Sequence, residues 1–293
     1  MSGEHGAAQG GPPHCYRHPD RETYISCQRC GRPICPDCMH PASVGYQCPE
    51  CVREGSRNVR APRTAAGGLL PRQAGAVTWT LIGINVVVFL VTLATGGTHG
   101  EPFRWGAMLS VSAFDPQNGG LLTGVAEGGY WRLLTSAFLH ENLLHILFNM
   151  YALYIFGPML ERYLGVGRFI AMYLTVALGG SVFVYLLSPE RSLTIGASGA
   201  IFGLFAVALV LLIRQRQNVT FLLVLLAINA VLSLQGGISW QGHLGGFVTG
   251  GVLGLAFAYA PRRWRTTAQY AAFGLLWIGI VAGVVLRTAQ LTV

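Results

Sequence analysis

From residue 77 onward the chain alternates long apolar runs with short polar connections. The runs fall at roughly 77–95, 138–160, 168–187, 197–213, 219–235, 243–260 and 268–286. Each is near the 17 to 25 or so residues that a helix needs to span a bilayer, so the pattern predicts seven transmembrane helices. The connection between the first two runs, residues 96–135, is too long for a simple turn and is expected to be functional or partly folded. Its Phe103, Trp105, Met108, Leu109, Phe114 and Trp131 suit an interfacial position, expected in the outer leaflet.

Composition agrees. The chain is 52% hydrophobic and only 11% charged, whereas about a quarter of a soluble protein is charged. All 20 basic residues are Arg, as a GC-rich bacterial genome would give, and with no lysine a retinal Schiff base cannot form. The net charge of +8 does not point to nucleic acid, because the arginines sit at the ends of the apolar runs. Arg162 and Arg168, Arg214 and Arg216, and Arg262, Arg263 and Arg265 fall on the same side as the arginine-rich segment before the first run. The positive-inside rule then puts the N-terminus in the cytoplasm and the C-terminus outside, in a multi-pass plasma-membrane protein. Residues 1–13 are Gly-rich, without the apolar core of a signal peptide, and are expected to be disordered.

All seven cysteines lie in the first 51 residues, in the pattern Cys15-x2-His18, Cys27-x2-Cys30, Cys35-x2-Cys38 and Cys48-x2-Cys51. Eight ligands in four x2 pairs suffice for two closed tetrahedral zinc sites. A disulfide framework would leave one cysteine over, and His18 stands where the eighth ligand is needed. Closed sites leave no position for chemistry, so this zinc-binding domain, residues 14–52, is expected to bind or regulate through two structural zinc ions. The spacing resembles B-box and related cross-brace fingers, ending on Cys48 and Cys51 where that family commonly has histidine. The resemblance implies Cys15, His18, Cys35 and Cys38 on one ion and Cys27, Cys30, Cys48 and Cys51 on the other. An Arg-, Gly- and Pro-rich linker is expected at residues 53–76, with Arg53, Arg57, Arg60, Arg63 and Arg72.

Within the membrane part, Ser198 lies among glycines in T-I-G-A-S-G-A-I-F-G, at the start of the fourth span. His243, in Q-G-H-L-G-G, starts the sixth, and His145 and Asn149 lie one to two turns into the second. In the alternating topology these three spans all begin outside, so the four residues share one depth. A serine, an imidazole base and hydrogen-bond donors are what peptide hydrolysis needs. No acidic residue falls in the interior of a span, Glu141 and Glu161 lying at the ends of the second, so a dyad is expected, its imidazole oriented by packing or by an unidentified neighbour. Gly242, Gly246, Gly250 and Gly254, four apart, form a packing face for span four. His140 and His145 in H-E-x3-H are five apart, about 140° round a helix, which argues against the shared metal of H-E-x-x-H proteases. A glycine-flanked serine by itself is more often a packing device. The case rests on the set.

These residues resemble the rhomboid family of intramembrane serine proteases. The likeness runs over residues 77–288: G-A-S-G at 196–199, His243 in a glycine-rich span, H-x4-H-x3-N at 140–149, Trp131-Arg132 ahead of the second span and Glu161-Arg162 after it. It implies an all-α polytopic fold, a six-helix core plus a seventh C-terminal helix. It further implies Ser198 as nucleophile, His243 as base, His145 and Asn149 as oxyanion donors, and cleavage of single-span substrates near their external end. The zinc-binding segment lies outside it. An alternative is a non-catalytic rhomboid-like protein that binds membrane segments, regulated by its zinc domain.

Overall fold

The computed structural model describes residues 11–57, 62–71, 73–115, 119–233 and 238–292. The chain forms two compact units, divided between Ala61 and Pro62. Most of the segment expected to be disordered, together with Arg60 and Arg72 of the expected linker, lies outside the described residues.

The first unit is a small ligand cage. A hairpin of β1 (His40–Pro41) and β2 (Tyr46–Gln47), paired His40 to Gln47 and Pro41 to Tyr46, is followed by α1 (Pro49–Arg57). Its buried apolar residues are Ile34 and six of the seven cysteines. A core made of thiols holds almost no apolar area, so a bound metal would have to supply most of the folding energy.

The second unit is helical: α2 (Ala76–Ala94), α3 (Glu101–Gly106), a hairpin of β3 (Ala113–Phe114) and β4 (Leu121–Leu122), α4 (Arg132–Thr135), α5 (Leu143–Leu164), α6 (Val166–Leu187), α7 (Ser198–Arg214), α8 (Thr220–Ser233), α9 (Trp240–Tyr259) and α10 (Arg265–Leu291). Seven of these helices sit at the seven apolar runs. Four of them, α2, α5, α6 and α10, are long and apolar enough to cross a membrane unaided. α7 and α8 are shorter, with 17 and 14 residues, and the glycines of α9 lower its hydropathy. The chain is a multi-pass membrane protein.

The second span starts later than its apolar run. Residues Ser136–Phe138 form a 3₁₀ turn, and Asn142 caps α5 by accepting the His145 N–H (2.9 Å). Phe138 and Leu139 belong to the core without belonging to the helix. His140 therefore precedes the helix, and the angle expected between two helical histidines does not apply; the two rings meet edge to face, centroids 5.1 Å apart.

Residues 62–71, within the expected linker, are part of the helical unit. Ala66 is fully buried, its N–H donates to the Tyr163 carbonyl (3.2 Å), and its own carbonyl accepts from Gln269 Nε2 (3.2 Å). Glu161, fully buried in the last turn of α5, accepts from the N–H groups of Val77 and Thr78 and from the Thr78 hydroxyl, so a carboxylate caps the positive end of α2. The long first connection is folded. Trp105 and Trp131 stack with centroids 5.5 Å apart, and buried Arg132 donates to the carbonyls of Thr123 (2.7 Å) and Ala107 (2.6 Å).

The centre of the unit is the contact of α6, α7 and α9. A Cβ on Gly246 would stand 1.8 Å from the Gly199 carbonyl oxygen, and one on Gly250 2.3 Å from that of Gly203. Only hydrogen side chains let the two backbones approach this far, which is how a membrane core gains van der Waals contact where no hydrophobic effect separates protein from lipid.

Candidate active site

The loop before α7 is tied down from outside. Met108 and Thr194 exchange backbone hydrogen bonds of 2.8 and 3.0 Å, the Val111 N–H reaches the Glu190 carbonyl, and the Gly196 N–H reaches that of Ser136 (2.9 Å). Gly196 then turns the chain at φ 125°, a conformation that costs other residues strain. It is needed for space as well, since a Cβ there would lie 2.8 Å from His145 Nε2 and 3.5 Å from Ser198 Oγ. The imidazole of His145 and the hydroxyl of Ser198 thus flank one point. Ser198 is the first residue of α7, so its N–H has no acceptor within the helix and remains available to an anion.

His243 is buried in the first turn of α9, four residues past the Ser239 cap. Its ring stacks on Phe202, one turn beyond Ser198 on the same face of α7. Nδ1 lies 2.9 Å from Ser233 Oγ, on α8. Nε2 is buried and has no hydrogen-bond partner among the described residues, so it makes no direct bond to Ser198 here. Such bonds are often long in free enzymes and tighten around substrate. Asn149 is buried two turns into α5, with Nδ2 donating to the His145 carbonyl (2.9 Å), which leaves it one N–H to offer. Ser136, Ser181, Ser198, Gly199 and Gly242 line a cavity of about 30 Å³, room for one water.

Of the four residues singled out in the membrane part, His145 and Ser198 meet at Gly196, His243 stacks on Phe202 one turn further along α7, and Asn149 is tied to the group through the His145 carbonyl. Two neighbours were not singled out. Phe202 could have been found by helical spacing from Ser198, whereas Ser233 sits in an apolar stretch with no spacing rule relative to His243.

A domain profile described as Rhomboid matches residues 127–260, which hold all four. The rhomboid-family protein YdcA of Bacillus subtilis is 36% identical over 136 residues, covering 44% of this chain and 68% of YdcA. The chain belongs to the rhomboid family. The rhomboid protease GluP of Bacillus subtilis is 31% identical over 216 residues, covering 69% of this chain and 40% of GluP. The rhomboid protease AarA of Providencia stuartii is 28% identical over 167 residues, covering 47% of this chain and 59% of AarA. The rhomboid profile begins well after the cysteine-rich unit.

In that unit the donor atoms of Cys15, His18, Cys35 and Cys38 all lie within 4.8 Å of one another, as do those of Cys27, Cys30, Cys48 and Cys51. These are the two sets that the cross-brace resemblance implies. The Cys30 and Cys48 sulfurs are 3.8 Å apart, about the edge of a tetrahedron of thiolates around zinc. His18 Nδ1 is 3.2 and 3.5 Å from the sulfurs of Cys35 and Cys38. Burial pushes the Cys15 and Cys27 thiols up, but several backbone N–H donors outweigh it and bring both down to about 6. Cys38 and Cys51 are pushed up to about 11 and about 12, by burial first and by neighbouring thiols next. Three or four thiolates at this spacing repel unless a cation joins them. Each cluster could hold a metal ion.

Proposed function

We propose that the chain is an intramembrane serine endopeptidase in which Ser198 and His243 act as a dyad. The observation that carries this reading is the glycine-mediated approach of α9 to α7, which sets His243 against Phe202 one turn from Ser198 with Nε2 unengaged. In the acylation step Nε2 takes the Ser198 hydroxyl proton as Oγ attacks the scissile carbonyl. The oxyanion forms beside the Ser198 N–H, with His145 and Asn149 as further donors. Collapse breaks the C–N bond as Nε2–H protonates the leaving amine, and one water, activated by the same nitrogen, hydrolyses the acyl-enzyme.

The partners are single-span membrane proteins cut near the external end of their span, where Gly, Ala or Pro loosens the helix and exposes the bond. The seven helices at the apolar runs span the plasma membrane with the N-terminus cytoplasmic. The two Cys/His clusters hold one structural zinc ion each, in a domain that binds a cytoplasmic partner. Purified protein in lipid is expected to cleave a transmembrane reporter and to label at Ser198 with a fluorophosphonate. Ser198→Ala and His243→Ala should abolish cleavage with the thermal transition retained. Undiminished cleavage by Ser198→Ala would refute the mechanism, and a wild type that binds but never cleaves or labels would favour the non-catalytic alternative.

A further inference from the structure

We infer that Ser233 is the positioning residue for His243, a neutral third member that sets the tautomer of the base. The inference rests on the dyad reading above.

The argument is one of proton count. Ser233 Oγ lies 2.7 Å from the carbonyl oxygen of Asn229, one turn earlier on α8, and 2.9 Å from His243 Nδ1. A carbonyl can only accept, so the single hydroxyl proton goes to Asn229 and an oxygen lone pair faces the imidazole. Nδ1 must then bring the hydrogen. A neutral imidazole has only one N–H, so Nε2 carries the free pair, and Nε2 is the nitrogen left without a partner. The reverse arrangement would put the proton on Nε2 and leave nothing to receive that of Ser198.

Phe202 and Ser233 divide the work. Stacking confines the plane of the ring, while the bond to Ser233 fixes its rotation within that plane. Once Nε2 takes the serine proton, the Nδ1–H donates from a cation and its bond to Oγ strengthens at the step where charge appears. No carboxylate bonds His243 among the described residues. The contact is also selective, because Ser233 and Leu222 are the only fully buried residues of α8, where Leu225, Leu226 and Asn229 are half-buried and the rest are exposed.

The test compares Ser233→Ala and Ser233→Thr with wild type, Ser198→Ala and His243→Ala, all full-length in lipid, against a transmembrane peptide substrate. Ser233→Ala is expected to lower kcat roughly 10- to 100-fold, as loss of a hydrogen bond to a charged group does, with KM changed less than about twofold and an unaltered thermal transition. Ser233→Thr, which keeps the hydroxyl, should restore most of kcat. In protein labelled with ¹⁵N at histidine, the His243 resonances, assigned by their loss in His243→Gln, should report an Nδ1–H tautomer in wild type and an altered tautomer balance in Ser233→Ala. Wild-type kcat in Ser233→Ala, or an Nε2–H tautomer in wild type, overturns the inference. Should Ser233→Ala fail to fold, the wild-type tautomer and the Thr variant decide it. Retained cleavage by Ser198→Ala would count instead against the dyad, and the tautomer would still be read independently of turnover.

Discussion

The imidazole of His243 lies flat on the ring of Phe202, with centroids 4.0 Å apart and 8° between the planes. Phe202 is four residues past Ser198, so one face of α7 carries both the proposed nucleophile and the platform for its proposed base. A face-on contact would also suit the imidazolium of the proposed mechanism, since a cation is attracted to an aromatic face. Phe202→Ala is expected to lower kcat about tenfold by freeing the ring, while Phe202→Tyr should stay near wild type. Steady-state cleavage in lipid measures both. Equal activity in the Ala variant would mean that neighbouring helices hold the histidine unaided.

His145 and Asn149 are expected to differ in weight. The His145 ring points to the spot beside Gly196 that Ser198 Oγ also borders, whereas one amide N–H of Asn149 is already engaged by the His145 carbonyl. His145→Ala should therefore cost about 100-fold or more in kcat, in the range of a lost oxyanion donor, and Asn149→Ala clearly less. Both should leave KM nearly unchanged, since the interaction arises only in the transition state. A larger loss for Asn149 than for His145 would reverse the assignment.

The approach of α9 to α7 makes a prediction about glycines that look alike in sequence. Gly246→Ala would place a methyl 1.8 Å from the Gly199 carbonyl oxygen, whereas Gly251, also in α9, has nothing within 4 Å of its Cβ position. Gly246→Ala is expected to separate the helices, costing more than about 3 kcal/mol, beyond ordinary overpacking, and to abolish fluorophosphonate labelling. Gly251→Ala should be neutral or slightly stabilising, since alanine forms helix better than glycine in soluble settings. Thermal unfolding in detergent, with labelling of Ser198 as a second readout, separates the two.

What could be read in advance follows from how local each signal is. Helix positions were legible because a run such as 168–187 carries no charge after Arg168 and is mostly apolar, and the observed α6 keeps its end at Leu187. The start of α5 was not, because Phe138 and Leu139 are apolar for reasons of core packing, and only the Asn142 cap marks the first turn. Glu161 and Arg132 could be noted as parts of motifs, but their tasks, capping α2 and pinning Thr123 and Ala107, depend on partners 83 and 9 to 25 residues away. Ser233 is the extreme case. Its bond to His243 crosses the connection between α8 and α9, where no periodicity applies, so nothing in the sequence ties this alcohol to the imidazole.

The cysteine-rich unit offers the most direct measurement. Its buried apolar residues are Ile34 and six cysteines, so without an ion the fold has little besides backbone bonds and exposed ion pairs such as Arg32–Glu50 to hold it. Exposed pairs contribute at most about 1 kcal/mol, against roughly 10–16 kcal/mol for a structural zinc ion at neutral pH. Arg32 also donates to the sulfurs of Cys30 (3.3 Å) and Cys48 (3.5 Å), bonds that favour thiolates and hence a cation. Reduced full-length protein is expected to carry two zinc ions per chain by elemental analysis. A strong chelator should remove both and open residues 14–57 to limited proteolysis, with protection restored on adding zinc back. Cys27→Ser should lose one ion and Cys15→Ser the other, because the two belong to different clusters. Metal-free protein that resists proteolysis in this segment would show that the cage stands without its ions.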